Sequence, residues 1–304
     1  MFKIKIGINM LSDRNKLIFF SFIAIFLIYR FFFFSKGIFF NGFGFWQIAN
    51  TKLLHEDLLN TIYYFHYQPP LWNLFIGLFL KISNGNQNLA LSLLLLFHYS
   101  LSIGMMFIIF KVKEKIKLNN ITYIVSLSLI IFNPSVIFFE NFTLYNHFSC
   151  FIFFLLFYFF FLLSEKETSK NVIKILLLSY ILTQTWPLFH PLFILLVGIL
   201  IFYISKYNIK RLILLTLFFL ILSIIPSIKN FYEFNFFGNG SGLGQNLSGL
   251  VFWNENLQKQ CSYNNLKNEY LDQDEIEHPI LNYNYHIQNS QSALNISKFC
   301  LDNS

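Results

Sequence analysis

Apolar residues run almost unbroken through positions 17–34, 89–110, 121–139, 148–163, 172–188, 191–205 and 212–228. Each run approaches the ~20 residues that a helix needs to cross a bilayer, so the pattern predicts seven transmembrane helices. One further apolar run, 71–82, is too short to cross. It follows Pro69-Pro70, which preset an extended backbone and then permit a helix to start. Tyr63, Tyr64, Tyr67 and Trp72 flank it, and these are residue types that settle at a membrane–water boundary. The expectation is an amphipathic helix lying on the membrane surface at the end of a long loop, 35–82.

The positive charges set the orientation. With 71–82 on the surface, one side receives Lys3, Lys5, Arg14 and Lys16, then Lys111, Lys113, Lys115 and Lys117. It also receives Lys166, Lys170 and Lys174, and finally Lys206, Lys210 and Arg211, against only four acids, Asp13, Glu114, Glu165 and Glu167. That distribution follows the positive-inside rule at every short loop, and counting 71–82 as a span would break it. The N-terminus is thus expected in the cytoplasm and the segment 229–304 outside. Residues 17–34 read as a retained helix and not a signal peptide, because no small-x-small cleavage site follows.

Composition agrees. The chain has 304 residues, 55% of them hydrophobic and 12% charged, which no soluble domain could bury. The fold class is an all-α polytopic membrane protein, with a transmembrane domain over 1–228 and a polar outer tail over 229–304. The tail ends at Leu301-Asp302-Asn303-Ser304 with no closing helix, so an incomplete domain is expected there. The net charge of +7 is spread between hydrophobic segments and so points to topology, not to nucleic acid. Cys261 and Cys300 both fall in the tail, where an oxidising compartment would permit a bridge, whereas Cys150 falls in a span. The stretch 238–244 is glycine-rich but lacks the Gly-Lys-Ser/Thr ending of a phosphate loop and follows no strand. Sequons at Asn141, Asn239, Asn246 and Asn295 carry little weight in a chain so rich in asparagine.

Several short motifs at expected outer helix ends carry a resemblance. These are His66-Tyr67-Gln68-Pro69-Pro70-Leu71 after the first loop, Asn133-Pro134 through Glu140-Asn141-Phe142-Thr143-Leu144-Tyr145, and Phe189-His190-Pro191. With the glycine-rich outer segment 238–249, this order resembles the polytopic GT-C glycosyltransferases, in the branch of protein O-mannosyltransferases and aminoarabinose transferases. The resemblance implies transfer of a sugar from a polyprenyl-phosphate carrier to a glycan, lipid or protein acceptor, at the outer face of a bacterial inner membrane.

An acid at the hydrocarbon edge is costly unless it faces a polar cavity, which makes Glu140 the leading catalytic candidate. The family's base usually comes soon after the first helix. Here residues 41–47 contain no acid, and Glu56 and Asp57 are the carboxylates left to serve. His66, Gln68, Tyr145 and His190 are expected to line the substrate site, and Lys81 and Arg30 are candidates for holding the lipid phosphate. A divalent metal would suit that phosphate, yet no H-x-x-x-H spacing marks a site, so the cofactor stays open. The alternative is a non-catalytic polytopic protein, either a transporter or a degenerate relative that binds lipid-linked sugars. A transporter should carry charged or broken helices near the bilayer midplane, and these spans hold almost none.

Overall fold

The computed structural model describes residues 2–35, 42–43, 47–205, 207–234 and 237–240, with side chains in the first helix from 14 to 32. Lys206, the glycine-rich stretch beyond 240, Cys261, Cys300, Asn246 and Asn295 lie outside the described residues. The described residues form eleven helices and no strand: α1 (Phe2–Ser35), α2 (Thr51–Glu56), α3 (Leu58–Tyr64), α4 (Pro70–Ile82), α5 (Gln87–Ile116), α6 (Asn120–Phe132), α7 (Pro134–Glu140), α8 (Asn146–Glu165), α9 (Ser169–Thr185), α10 (Leu192–Ile204) and α11 (Ile209–Phe234).

Four helices are long and apolar enough to cross a membrane: α1 over Arg14–Phe32, α5, α8 and α11. A fifth crossing results if α6 and α7 count as one helix bent by 47°. The protein is therefore an integral membrane protein, with four or five of the seven expected crossings accounted for by length and apolarity. The other two expected runs become α9 and α10, of 17 and 13 residues. Pro187 and Pro191 break the stretch between them, and α9 devotes Ser179, Thr183, Gln184 and Thr185 to buried positions. Both fall short together, so the direction of α11 is the same with or without them.

The bend between α6 and α7 has a local cause. Pro134 has no N–H and disfavours helical geometry at Asn133, whose backbone is extended at φ −67°, ψ 120°. The Asn133 side chain then caps α7 by accepting from the Ser135 N–H at 2.9 Å. α5 outruns its predicted end: it continues through the lysines to Ile116 and stops at Lys117, which adopts a left-handed φ of 50°. α11 likewise continues past 228 to Phe234.

Two ends of the bundle can be told apart by contacts. At the first, Lys115 of α5 pairs with Glu165 of α8, and the Tyr207 hydroxyl meets Ser169 at 3.1 Å. This gathers the lysine-bearing connections before α6, α9 and α11, and we call it the basic end. The flank of α1 joins it through Phe19, whose ring stacks on Phe110 at 5.0 Å. From there α5 climbs well past the start of α8, and its upper half is flanked by α4. That helix turns back at Ser83–Asn86, where Gly85 takes φ +79°, and runs antiparallel to α5, so that Trp72 reaches His98.

The bundle has three apolar cores. One joins α2–α4 to the upper half of α5, α8 and α9; one joins α1, α5 and α6; one joins α9, α10 and α11. Outward-facing residues remain apolar: Ile28 and Phe31 of α1, Leu214 of α11 and Ile121 of α6 are each more than 70% exposed. A surface of that kind suits hydrocarbon and not water.

Candidate functional site

The polar side chains meet in one layer, remote from the basic end. Ser102 lies about 20 Å along α5 from Lys115, and His147 about 27 Å along α8 from Glu165, at 1.5 Å per residue. The layer thus stands about 20 Å by α5, and about 27 Å by α8, from the basic end.

At the centre of the layer sits Glu140, 1% exposed at the last residue of α7. The Arg30 Nε of α1 donates to Glu140 Oε2, and the Ser102 hydroxyl of α5 donates to Oε1. Arg30, itself 1% exposed, also donates from Nη1 to the Ile131 carbonyl at 2.9 Å and from Nη2 to the Ile130 carbonyl at 3.4 Å. Those carbonyls belong to the last turn of α6, whose acceptors lost their helical donors when Pro134 ended the helix. The guanidinium thus ties together the ends of α1, α6 and α7 while its flank rests over the Phe26 ring at 4.8 Å.

Two histidines extend this network. The Ser102 oxygen also lies 3.0 Å from His147 Nε2, which joins α8 to the same network. His98 Nδ1 lies 2.8 Å from the Glu140 carbonyl, which can only accept, so Nδ1 carries the proton. The His98 ring is stacked on Trp72 at an interplanar angle of 12°, and the Trp72 indole N–H donates to the Thr143 carbonyl at 2.9 Å. α4 is thereby fastened to the connection between α7 and α8.

Beside this centre lies the loop before Pro70. Tyr145, at the start of α8, is buried against Trp186 from the end of α9, ring centroids 5.5 Å apart. Tyr67 is buried too, and burial, followed by the nearby Tyr145, holds its phenol above the ordinary value, so it stays a neutral hydroxyl at physiological pH. His66 is buried with its ring 4.8 Å from that of Phe234 at the end of α11. A short strap, residues 237–240, closes over this loop. Asn239 accepts from the Ser227 hydroxyl and donates to the Thr183 carbonyl at 3.4 Å, and Asn230 donates to the Gly238 carbonyl at 2.6 Å. A side chain at Gly240 would come 2.9 Å from the Tyr67 carbonyl and 3.3 Å from Gln68 Cα, so only glycine allows this approach.

Gln68 stands out in this setting. It is 2% exposed, yet neither its Oε1 nor its Nε2 has a hydrogen-bond partner. Asn230, 1% exposed and joined to the same strap, has an unpartnered Oδ1. Burying such a group without a partner costs about 1–3 kcal/mol. Three unfilled polar atoms around one strap mark a place where donors and acceptors from outside the chain would be welcome.

The remaining expected residues stand apart from this layer or are already engaged. Glu140 was expected to face a polar hollow, but it is enclosed by an ion pair, because Arg30 needs a counter-charge at the break in α6. Arg30 is correspondingly spoken for as a phosphate ligand. Glu56 and Asp57 lie on the exposed junction of α2 and α3, where Asp57 accepts from Asn60 Nδ2 at 2.8 Å. Lys81 is at the far end of α4 from Gln68 and donates to the His55 carbonyl at 3.0 Å. His190 is exposed, and its Nδ1 accepts from the Leu192 N–H at 3.3 Å in the turn that leads into α10. The sequons at Asn141 and Asn239 are buried and hydrogen-bonded.

Sequence reasoning missed His98, Ser102 and Asn230. The first two had a signal: they are polar residues four apart on one face of an otherwise apolar helix. Among the described residues no three His, Cys, Asp or Glu side chains form a group able to hold a metal. Comparison with known proteins adds no name to this geometry: no protein-family model, no curated protein and no solved structure matches the chain.

Proposed function

We propose that the protein handles a polyprenyl-phosphate-linked sugar at the end of the bundle opposite its lysines, as a membrane glycosyltransferase with seven crossings and a cytoplasmic N-terminus. The observation that carries this reading is the unpartnered Gln68 amide with Asn230 Oδ1 beside the same strap. A sugar presents hydroxyls that both donate and accept, which matches an amide offering one of each and a second bare acceptor. The neighbouring rings of Tyr67, Tyr145 and Trp186 supply apolar faces of the kind that pyranose rings pack on. A donor anchored by a polyprenyl chain stays in the bilayer, so its sugar sits at the depth of this layer. A bacterial inner membrane with the tail outside suits that arrangement.

A second reading has one observation in its favour. Glu140 is committed to Arg30 and Ser102, which leaves Glu56 and Asp57, among the described residues expected to act, as the carboxylates to take a proton from an acceptor. If these two do not reach the reacting hydroxyl, the chain binds a lipid-linked sugar without transferring it.

Membranes carrying the full chain, supplied with radiolabelled polyprenyl-phosphate hexose, test the choice. Catalysis by the α2–α3 acids predicts transfer above that of membranes lacking the protein, falling by about 100-fold or more in Glu56→Gln/Asp57→Asn, the usual scale of a lost general base. Transfer that survives the double substitution removes both acids from the mechanism. Donor binding without any transfer selects the second reading.

A further inference from the structure

His98 carries another hydrogen-bonding atom without a partner, and it points to a different ligand from the sugar proposed above. The residue is 1% exposed. Its Nδ1–H is used on the Glu140 carbonyl, so Nε2 is a bare lone pair, buried and unpartnered. His98 lines a cleft between α5 and the connection from α7 to α8. The other walls are Leu91, Leu94, Leu95, Phe142 and Thr143, with Glu140 and Asn141 completing the lining. The cleft encloses about 240 Å³ including its open mouth, but its interior admits only a group the size of one water. The polar neighbours are turned elsewhere. The Glu140 carboxylate faces Arg30 and Ser102, Asn141 Nδ2 donates to the Ile137 carbonyl at 2.7 Å, and the Thr143 hydroxyl donates to the Gly42 carbonyl at 3.4 Å.

We infer that this cleft binds the hydroxyl end of a lipid alcohol, with the O–H donated to His98 Nε2 and the chain laid along Leu91, Leu94, Leu95 and Phe142. Each feature selects for that class. A lone acceptor requires a donor, which a hydroxyl has and an ether or ester lacks. The narrow interior admits an oxygen and excludes a phosphate. The carboxylate of Glu140, which borders the cleft, is already paired with Arg30 and so does not offset an ammonium group. The apolar walls reward a hydrocarbon chain, and the height of His98, within the polar layer remote from the basic end, suits the hydroxyl of a bilayer-dissolved alcohol.

The test uses the full chain in lipid nanodiscs and a diazirine-bearing long-chain isoprenoid alcohol, with its methyl ether as control. The site predicts photolabelling on the 91–98 and 142–143 peptides, displaced by unlabelled alcohol and at least about fivefold weaker for the ether, the worth of one hydrogen bond. His98→Phe keeps a ring beside Trp72 and removes the acceptor, and should lower labelling by the alcohol to the level of the ether. Equal labelling by alcohol and ether in the wild-type protein overturns the inference without recourse to any variant. So does a cleft that only an ordered water enters, seen as no displaceable labelling of these peptides. Sugar transfer is not read in this experiment, so its outcome is independent of the glycosyltransferase proposal.

Discussion

Glu140→Gln is expected to be among the most damaging single changes in the protein. The substitution keeps the shape of the side chain but leaves the Arg30 guanidinium, 1% exposed, without its counter-charge. Removing one partner of a buried pair costs about 3–5 kcal/mol, most of it from the charge that stays behind. The unfolding midpoint of the detergent-solubilised chain should fall by on the order of 10 °C, with loss of the monodisperse fraction. Replacing both partners with apolar residues, Arg30→Met with Glu140→Leu, should recover much of that loss, because two desolvated charges are removed together. Recovery would stay incomplete, since the Ile130 and Ile131 carbonyls lose the donor that covers the end of α6. A Glu140→Gln protein as stable as wild type would mean that Arg30 finds another partner or water, and that the pair does not hold the layer together.

Trp72→Ala should cost a similar amount by a different route. Among the described residues Trp72 is the largest side chain that is fully buried; it fills the join between α4 and α5 and fastens both to Thr143. Truncating a buried tryptophan costs about 3–5 kcal/mol through lost contacts and the cavity left behind. Trp72→Phe should retain the stacking on His98 and lose only the indole hydrogen bond and a little volume, for about 1–2 kcal/mol. Unfolding midpoints for the two variants separate these contributions. Equal loss in both would assign the whole effect to the bond with Thr143.

The helices were legible because apolar runs of this length leave the chain few other options. The short helix at Pro70 could be read from proline chemistry alone, whereas the single helix expected over 121–139 runs through Pro134, where the structure breaks it into α6 and α7. The shortness of α9 is already present in the run 172–188, which has the same length of 17 residues, but the reason for its polar positions could not be read in the same way. Its Ser, Thr and Gln residues look like tolerated polar positions in a span, and only their burial against α11 and the strap shows what they serve. The central ion pair had no local signature either. Arg30 and Glu140 are 110 residues apart, and each taken alone looked like a group at a helix end facing a polar space. What joins them is the need for a donor at the broken end of α6, a demand that appears only once α1 is packed beside it. Gln68 was visible as a polar residue in a proline loop, but its burial beside Gly240, more than 170 positions later, could not be read from the loop itself.

The most direct test of the sugar site is Gln68→Leu, measured for stability and for binding of labelled polyprenyl-phosphate hexose by the full chain in nanodiscs. Leucine has nearly the volume of glutamine and removes two unpartnered polar atoms, so the unliganded protein should become more stable, by about 1 kcal/mol. Binding of the lipid-linked sugar should weaken at the same time by about tenfold, because the donor and acceptor meant for its hydroxyls are gone. A Gln68→Leu protein that binds the sugar lipid as tightly as wild type, or a wild-type chain that shows no saturable binding, would contradict the account.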